Sequence, residues 1–236
     1  GHLVLEHSRR LLAGSQALSN AVGQLCNLSS GEVRLGAGPY PAARLVPQAM
    51  GSFAERFPRV RLHLLIDNWQ QLRGRLLDDE IELFVADTRE FEGDPQLHIE
   101  PLRVHPGVLF CYPQHALLQR QPVGLQDLLD YPLAGTQLPE AVSAALRNLG
   151  VGASPLTIQC DNFMVLKELV SSSHVVSLAP WDVIAQDVAS GRLAPLQIGM
   201  ALSQHSAYGI VSRAGHSLSP GAAQLRLILL AQDADD

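Results

Sequence analysis

Apolar residues recur along this chain in two rhythms, and the rhythm divides most of it into strands and helices. Leu45, Val46, Ala49, Met50, Phe53, Ala54 and Phe57 follow the spacing that lines one side of a helix, while Arg44, Gln48, Ser52, Glu55 and Arg56 take the other side. Pro41 suits a first helical turn, where a missing N–H leaves nothing unpaired, and Pro58 stops the element. Ahead of that helix Val33 to Gly36 reads as a short strand, so Gly38, Pro39 and Tyr40 occupy the bend between strand and helix.

The same alternation continues. Val60, Leu62, Leu64 and Ile66 interleave with Arg61 and His63, as in a strand with one better-buried face. Asn68 is placed to cap a helix that turns Trp69, Leu72, Leu76 and Leu77 inward. Ile81, Leu83, Phe84, Val85 and Ala86 form a third strand, closed by Asp87-Thr88. Strand, helix, strand, helix, strand predicts a parallel sheet built by right-handed crossovers. Its carboxyl-end loops, residues 38–40, 67–70 and 87–88, should then share one rim.

A second set follows. Leu102 and Val108 to Tyr112 read as strands around the break at Pro106-Gly107, Leu125 to Leu129 as a short helix, and Pro132 to Gly135 as a strand. Glu140 to Leu149 reads as a helix stopped by Gly150, and Leu156 to Cys160 as a strand. Asp161 or Asn162 caps a helix that buries Phe163, Leu166, Leu169 and Val170. Val175 to Leu178 is a buried strand, and Pro180 to Ser190 a helix closed by Gly191. Ser206 to Val211 gives a last strand, and Ser219-Pro220 opens a helix whose apolar side is Leu225, Ile228 and Leu229. This late pair suggests a return to the first set. The expected organisation is α/β, with residues 31–103 and 207–236 in one subdomain, residues 104–206 in another, and a hinged cleft between them.

Residues Leu3 to Leu28 carry a narrower seam, with Val4, Leu11, Leu18 and Leu25 at seven-residue intervals. A dimerising or linker helix is one reading and an arm packed on its own domain the other; Ser29, Ser30 and Gly31 break the chain after it. The start, GHLVLEHSRRLL, is neither a secretory leader nor a natural beginning, so the chain is expected to be a piece of a longer product.

Composition narrows the function. At 47% hydrophobic and 17% charged over 236 residues the chain reads as ordinary globular protein, and no apolar run is long enough to span a membrane. A net charge of −6 argues against nucleic-acid binding by these residues themselves, which would need a basic face. Cys26, Cys111 and Cys160 are widely separated, which fits buried thiols better than a disulfide framework or a zinc site.

The chemistry of an enzyme is not legible. The nine histidines show no H-E-x-x-H, and there is neither a paired Cys-x-x-Cys nor a G-x-S-x-G elbow. Gly36-Ala37-Gly38 lacks the later glycine and lysine of a phosphate loop. No metal and no cofactor is expected. Asp79-Glu80 reads as a solvated charge run, and His63 and His98 as surface residues of strands. Ligands of open α/β sheets bind where strand carboxyl ends and helix amino ends face a crevice. That places Gly38, Pro39, Tyr40, Asn68, Trp69, Asp87, Thr136, Asp161, Asn162 and His205 as candidates. Tyr40 should be exposed by its Gly/Pro surroundings; Trp69 could be core or a lid; Phe163 should pack beneath its helix. Several helix amino ends would favour a carboxylate-bearing ligand.

The order of pieces resembles the effector-binding region of LysR-type transcriptional regulators, preceded by their linker helix. The residues that carry the resemblance are Gly31-Glu32-Val33-Arg34-Leu35-Gly36, Leu45-Val46-Pro47 with Phe53 and Phe57-Pro58, and Ile81-Glu82-Leu83-Phe84-Val85-Ala86. Pro101-Leu102, His115-Ala116-Leu117, Leu169-Val170, Val175-Val176-Ser177-Leu178-Ala179-Pro180, Gly191-Arg192-Leu193 and Ser219-Pro220 continue it over nearly the whole chain. The resemblance implies two Rossmann-like subdomains around a cleft, like type 2 periplasmic binding proteins, holding a small-molecule effector. It also implies a cytoplasmic homodimer or homotetramer that reaches DNA through a winged helix-turn-helix upstream of the linker. Two departures stand out: Ser173-His174-Val175 where the family has a glycine-x-glycine turn, and Glu82 where an Asp is common. The runner-up from another class is the solute-binding protein of a transporter, which has the same two-lobed cleft; an enzyme is third.

Overall fold

The computed structural model describes residues 31–138, 140–148, 154–198 and 205–235. The heptad helix expected over Leu3–Leu28, Cys26, the break at Ser29-Ser30 and the stop at Gly150 lie outside them. Two compact units divide the chain. One comprises the described residues up to Ala37, Leu45–Pro101 and the stretch from Gly209 onward; the other comprises Gly38–Arg44 and Leu102–Tyr208.

In the first unit β1 (Gly31–Ala37) pairs in parallel with β2 (Val60–Ile66) and with β3 (Leu83–Asp87). The helices α1 (Leu45–Arg56) and α2 (Trp69–Leu77) make the crossovers, as the two rhythms require. Sheet order is β2-β1-β3-β10-β4, so β10 (Tyr208–Arg213) inserts beside β3, and β4 (Leu97–Pro101) closes the edge antiparallel to it. The last strand thus lies in the same sheet as β1, β2 and β3. The last helix, α6 (Pro220–Asp235), packs on α1 and β1, its start capped by Ser219 Oγ accepting from Ala222 N.

Packing in this unit is close enough to dictate residue type. A Cβ at Gly36 would lie 2.7 Å from Leu72, 2.8 Å from Ile81 and 2.8 Å from Phe84, and one at Gly221 would lie 2.6 Å from Val33. Only glycine lets α2 and α6 approach β1 so nearly. Beneath them Leu72, Leu76, Phe84 and Phe91 are fully buried. β2 is an edge strand: Val60, Leu62 and Leu64 are half-buried and Ile66 is exposed, so its inner face is covered less than its alternation implies.

The second unit repeats the parallel motif in β6 (Leu133–Gly135), β7 (Ile158–Gln159) and β8 (Val176–Pro180). It adds β5 (Gly107–Cys111), antiparallel to β8, and β9 (Ala194–Pro195), giving the order β7-β6-β8-β5-β9. Two apolar layers cover this sheet. On one side Leu109, Cys111, Leu133, Val176 and Leu178 meet Leu117, Leu128 and Leu146, the last from α3 (Glu140–Asn148). On the other, Phe110, Ala134 and Ala179 meet Phe163, Leu166 and Val170 of α4 (Phe163–Ser171).

Several boundaries differ from the sequence reading. Leu102 follows β4 rather than forming a strand, and Leu156 to Cys160 contains only the two-residue β7. The expected helices at Leu125 to Leu129 and Pro180 to Ser190 shorten to a 3-10 turn at Asp127–Asp130 and to a 3-10 turn at Trp181–Val183 followed by α5 (Ala185–Ala189). Pro41 opens a separate 3-10 turn, Pro41–Ala43, rather than the first turn of α1. Residues 38–44 cluster with the second unit, although β1 before them belongs to the first.

Candidate functional site

The register of the second sheet fixes which loops lie together. Gly135 pairs with Gln159 and Ala134 with Ser177 in parallel, while Gly107 of β5 opposes Pro180. The residues just past Gly135, Gln159 and Pro180, together with those just before Gly107, therefore form one rim. Thr136, Asp161, Asn162 and Trp181 stand on it, and His205 joins through its bridge to Pro106. Gly38, Pro39 and Tyr40 pack onto this unit as well.

A chain of hydroxyls joins two of them. Thr136 Oγ1 donates to Tyr40 Oη at 3.2 Å, and Tyr40 Oη donates to the Leu178 carbonyl at 3.2 Å. Thr136 is buried and Tyr40 half-buried, with the Tyr40 ring edge-on to Phe163 at 5.0 Å. Tyr40 is thus held by three groups distant in sequence rather than exposed by its glycine and proline neighbours. Phe163 is core, as expected.

Beside this pair Asn162 caps α4, its Oδ1 accepting from Met164 N at 3.0 Å and Val165 N at 3.2 Å. Those amides are already satisfied, so the helix end offers an anion less than the helix dipole alone suggests. Asp161 is exposed and makes no side-chain hydrogen bond among the described residues. His205 is exposed too. The same end of α4 presents Met164 at 57% and Val165 at 52% exposure, and Trp181 is exposed at 37%. Sequence reasoning missed these three. The available signal was phase: Met164 and Val165 are apolar yet fall off the face that buries Phe163, Leu166 and Val170.

The remaining candidates belong to the first unit. Asn68 Oδ1 accepts from Gln71 N at 3.0 Å, the cap its position predicts, and Asn68 N donates to Asp67 Oδ1 at 2.9 Å. Trp69 is half-buried, edge-on to Phe91 at 5.6 Å. Asp87 Oδ1 accepts from Arg89 Nε at 2.8 Å, and its other oxygen bonds the same guanidinium. Asn68 and Trp69 follow β2 and Asp87 ends β3, the strands that flank β1, on one rim of their own sheet.

A second cluster underlies the departure at Ser173-His174-Val175. Buried His115 accepts from Leu117 N at Nδ1, so Nε2 carries the proton and donates to the His174 carbonyl at 3.2 Å. Burial lowers the His115 pKa, and the hydrogen bond to the His174 carbonyl offsets this only in part. His174 Nδ1 meets Tyr112 Oη at 3.2 Å, and Ser173 Oγ donates to the Leu169 carbonyl. Side chains secure the turn that glycines make elsewhere. Cys111 is buried and its thiol is pushed up to about 12, whereas Cys160 is half-exposed, its Sγ 3.7 Å from the Asn162 carbonyl. No cluster of three or more His, Cys, Asp or Glu side chains suited to a metal occurs among the described residues. Among them no helix is long and apolar enough to cross a membrane.

Comparison with known proteins resolves the family. A model of the LysR substrate binding domain matches residues 27–234. A protein of Pseudomonas sp. named SDS degradation transcriptional activation protein is 57% identical over 237 residues, covering 99% of this chain and 78% of that one. The regulatory domain of MetR, a LysR family regulator from N. meningitidis, superposes with a TM-score of 0.66 at 18% identity, covering 88% of this chain and 96% of the other. The effector binding domain of QuiR in complex with shikimate gives 0.67 at 17% identity, covering 88% and 99%. The family match over nearly the full length and the 57% identical activator favour a regulator's sensing domain over a transporter's receptor, and the chain belongs to the LysR substrate-binding domain family.

Proposed function

We propose that this chain senses an alkyl sulfate or a product of its breakdown, and that the whole regulator activates genes for degrading such detergents. The observation that carries the reading is the 57% identity to the SDS degradation activator across 99% of the chain. The second unit's rim supports it chemically. Exposed Met164, Val165 and Trp181 beside the Tyr40–Thr136 hydroxyl pair suit a ligand with an alkyl tail and a small polar head. An acidic head remains compatible with the rim, but the amides that would have greeted a carboxylate are capped by Asn162. The effector would shift the population of regulator conformations by its differential affinity for them, and hence the geometry of a cytoplasmic homodimer or homotetramer on DNA. None of this calls for catalysis, a metal or a cofactor.

The test is differential scanning fluorimetry and calorimetric titration with decyl sulfate, 1-decanol, decanoate and shikimate, below micelle-forming concentrations. Anionic detergents unfold proteins, so a rise in Tm is the diagnostic sign. A rise with decyl sulfate or 1-decanol, weakened in Tyr40→Ala, Thr136→Val and Met164→Ser/Val165→Ser, supports the reading. Trp69→Ala and Asp87→Asn probe whether the first unit's candidates belong to the same ligand. Stabilisation by shikimate alone, or alkyl binding untouched by these second-unit variants, overturns it.

A further inference from the structure

The first unit holds a half-open cavity of about 230 Å³ away from its own rim. Arg34 on its wall precedes Ala37, the end of β1, by three positions, roughly 10 Å along the strand. Glu82 immediately precedes β3, and Arg213 ends β10, which runs back toward the start of the parallel strands. The cavity therefore opens at the amino edge of the sheet, the opposite end from Asn68 and Asp87.

Its groups are of both signs, and each has capacity left. Arg213 donates from Nη1 alone to both oxygens of Asp79, at 3.0 Å each, so its Nε and Nη2 hydrogens stay available. Asp79 itself has φ 57°, the left-handed conformation that ends α2, where Glu80 N bonds back to the Arg75 carbonyl at 2.8 Å. Arg34 is exposed and has no side-chain partner among the described residues. Glu82 gives one oxygen to Ser219 N at 3.1 Å and keeps the other. His216 Nδ1 lies 3.2 Å from the Ala214 carbonyl, so it carries the proton and leaves Nε2 as an acceptor.

The two guanidinium groups balance the two carboxylates. A simple anion would gain Arg34 and meet Asp79 and Glu82; a simple cation would gain Glu82 and meet the arginines. A molecule carrying both charges satisfies both sides. The space, about 230 Å³ and open to solvent on one side, has room for a molecule of amino-acid size. Leu76, Ile81 and Leu218 supply an apolar wall for a short side chain. We infer that this cavity is a second small-molecule site that takes a zwitterion of amino-acid size.

Three probes of matched size dissect the claim on the full chain, ¹⁵N-labelled and followed by NMR: L-alanine with both charges, propionate with one, propylamine with the other. L-Alanine at millimolar concentration is expected to move the amides of Asp79, Glu82 and Gly215 and leave those of Tyr40 and Thr136 in place. Arg34→Ala and Glu82→Gln should each weaken it about tenfold, the loss expected when one charge-assisted hydrogen bond is removed. Glu82→Gln keeps an oxygen for Ser219 N, and Arg34 is exposed, so both variants fold. No movement with L-alanine, propionate acting as strongly as L-alanine, or either variant binding like the parent overturns the inference.

Discussion

The two rims differ although the strands beneath them do not. Each unit sets a β-strand between two parallel neighbours and ends them in loops that face one way. In the first unit those loops carry Asp67, Asn68 and Asp87, whose polar atoms bond to each other, to the first turn of α2 and to Arg89. In the second they carry a hydroxyl pair and an apolar surface of Met164, Val165 and Trp181. Topology supplies the place and side chains decide what can stay there. A charged rim closed on itself has little left for a ligand; a partly apolar one leaves unfavourable hydration to be relieved by binding.

The contrast can be broken by substitution. The largest effect is expected from Phe163→Ala, which removes a buried ring under Tyr40 and should lower stability in urea by about 3–5 kcal/mol while loosening the second rim. Gly36→Ala should cost about 1–3 kcal/mol by overpacking Leu72, Ile81 and Phe84, yet leave alkyl-ligand affinity unchanged. Tyr40→Phe keeps the ring but strands the Thr136 hydroxyl and the Leu178 carbonyl, for about 1–2 kcal/mol and weaker ligand binding.

Acid sharpens the contrast, because His115 belongs to the second unit. The unfolded chain takes up that proton near pH 6.5 and the folded one resists it, so the folded state holds its full advantage above 6.5 and loses it as pH falls toward the depressed native value. The slope from this group is at most about 1.4 kcal/mol per pH unit, and His115→Gln should flatten it in a urea series from pH 7 to 5. The smallest effect is expected from Asp87→Asn, within about 0.5 kcal/mol, with binding unchanged. Were it to weaken the ligand as Tyr40→Phe does, the two rims would share one task and the contrast would fail.

How much of this was legible follows from the range of the interactions. Helix α1, the caps at Asn68, Asn162 and Ser219, and the return of the last strand rest on patterns a few residues long, and the sequence carries them plainly. Tyr40 does not work that way. Its partners lie 96 and 138 residues away, and no local spacing announces them. The two-residue strands β7 and β9 are too short for any period to register, and the helix expected from Pro180 breaks because Trp181 N turns back to the Pro106 carbonyl. Nor does anything near His115 announce the His174 carbonyl, 59 residues on, that takes its Nε2 hydrogen.

The position of β10 has a consequence for synthesis. Every strand of the second sheet lies between residues 107 and 195, so that sheet has all its strands once the ribosome has passed Pro195. β4 emerges far earlier but has only β10 beside it, and it must wait for Tyr208–Arg213. A released chain ending near residue 200 would carry every strand of one sheet and lack the penultimate strand of the other, with the row of main-chain amides and carbonyls on β3 and β4 open to any passing partner.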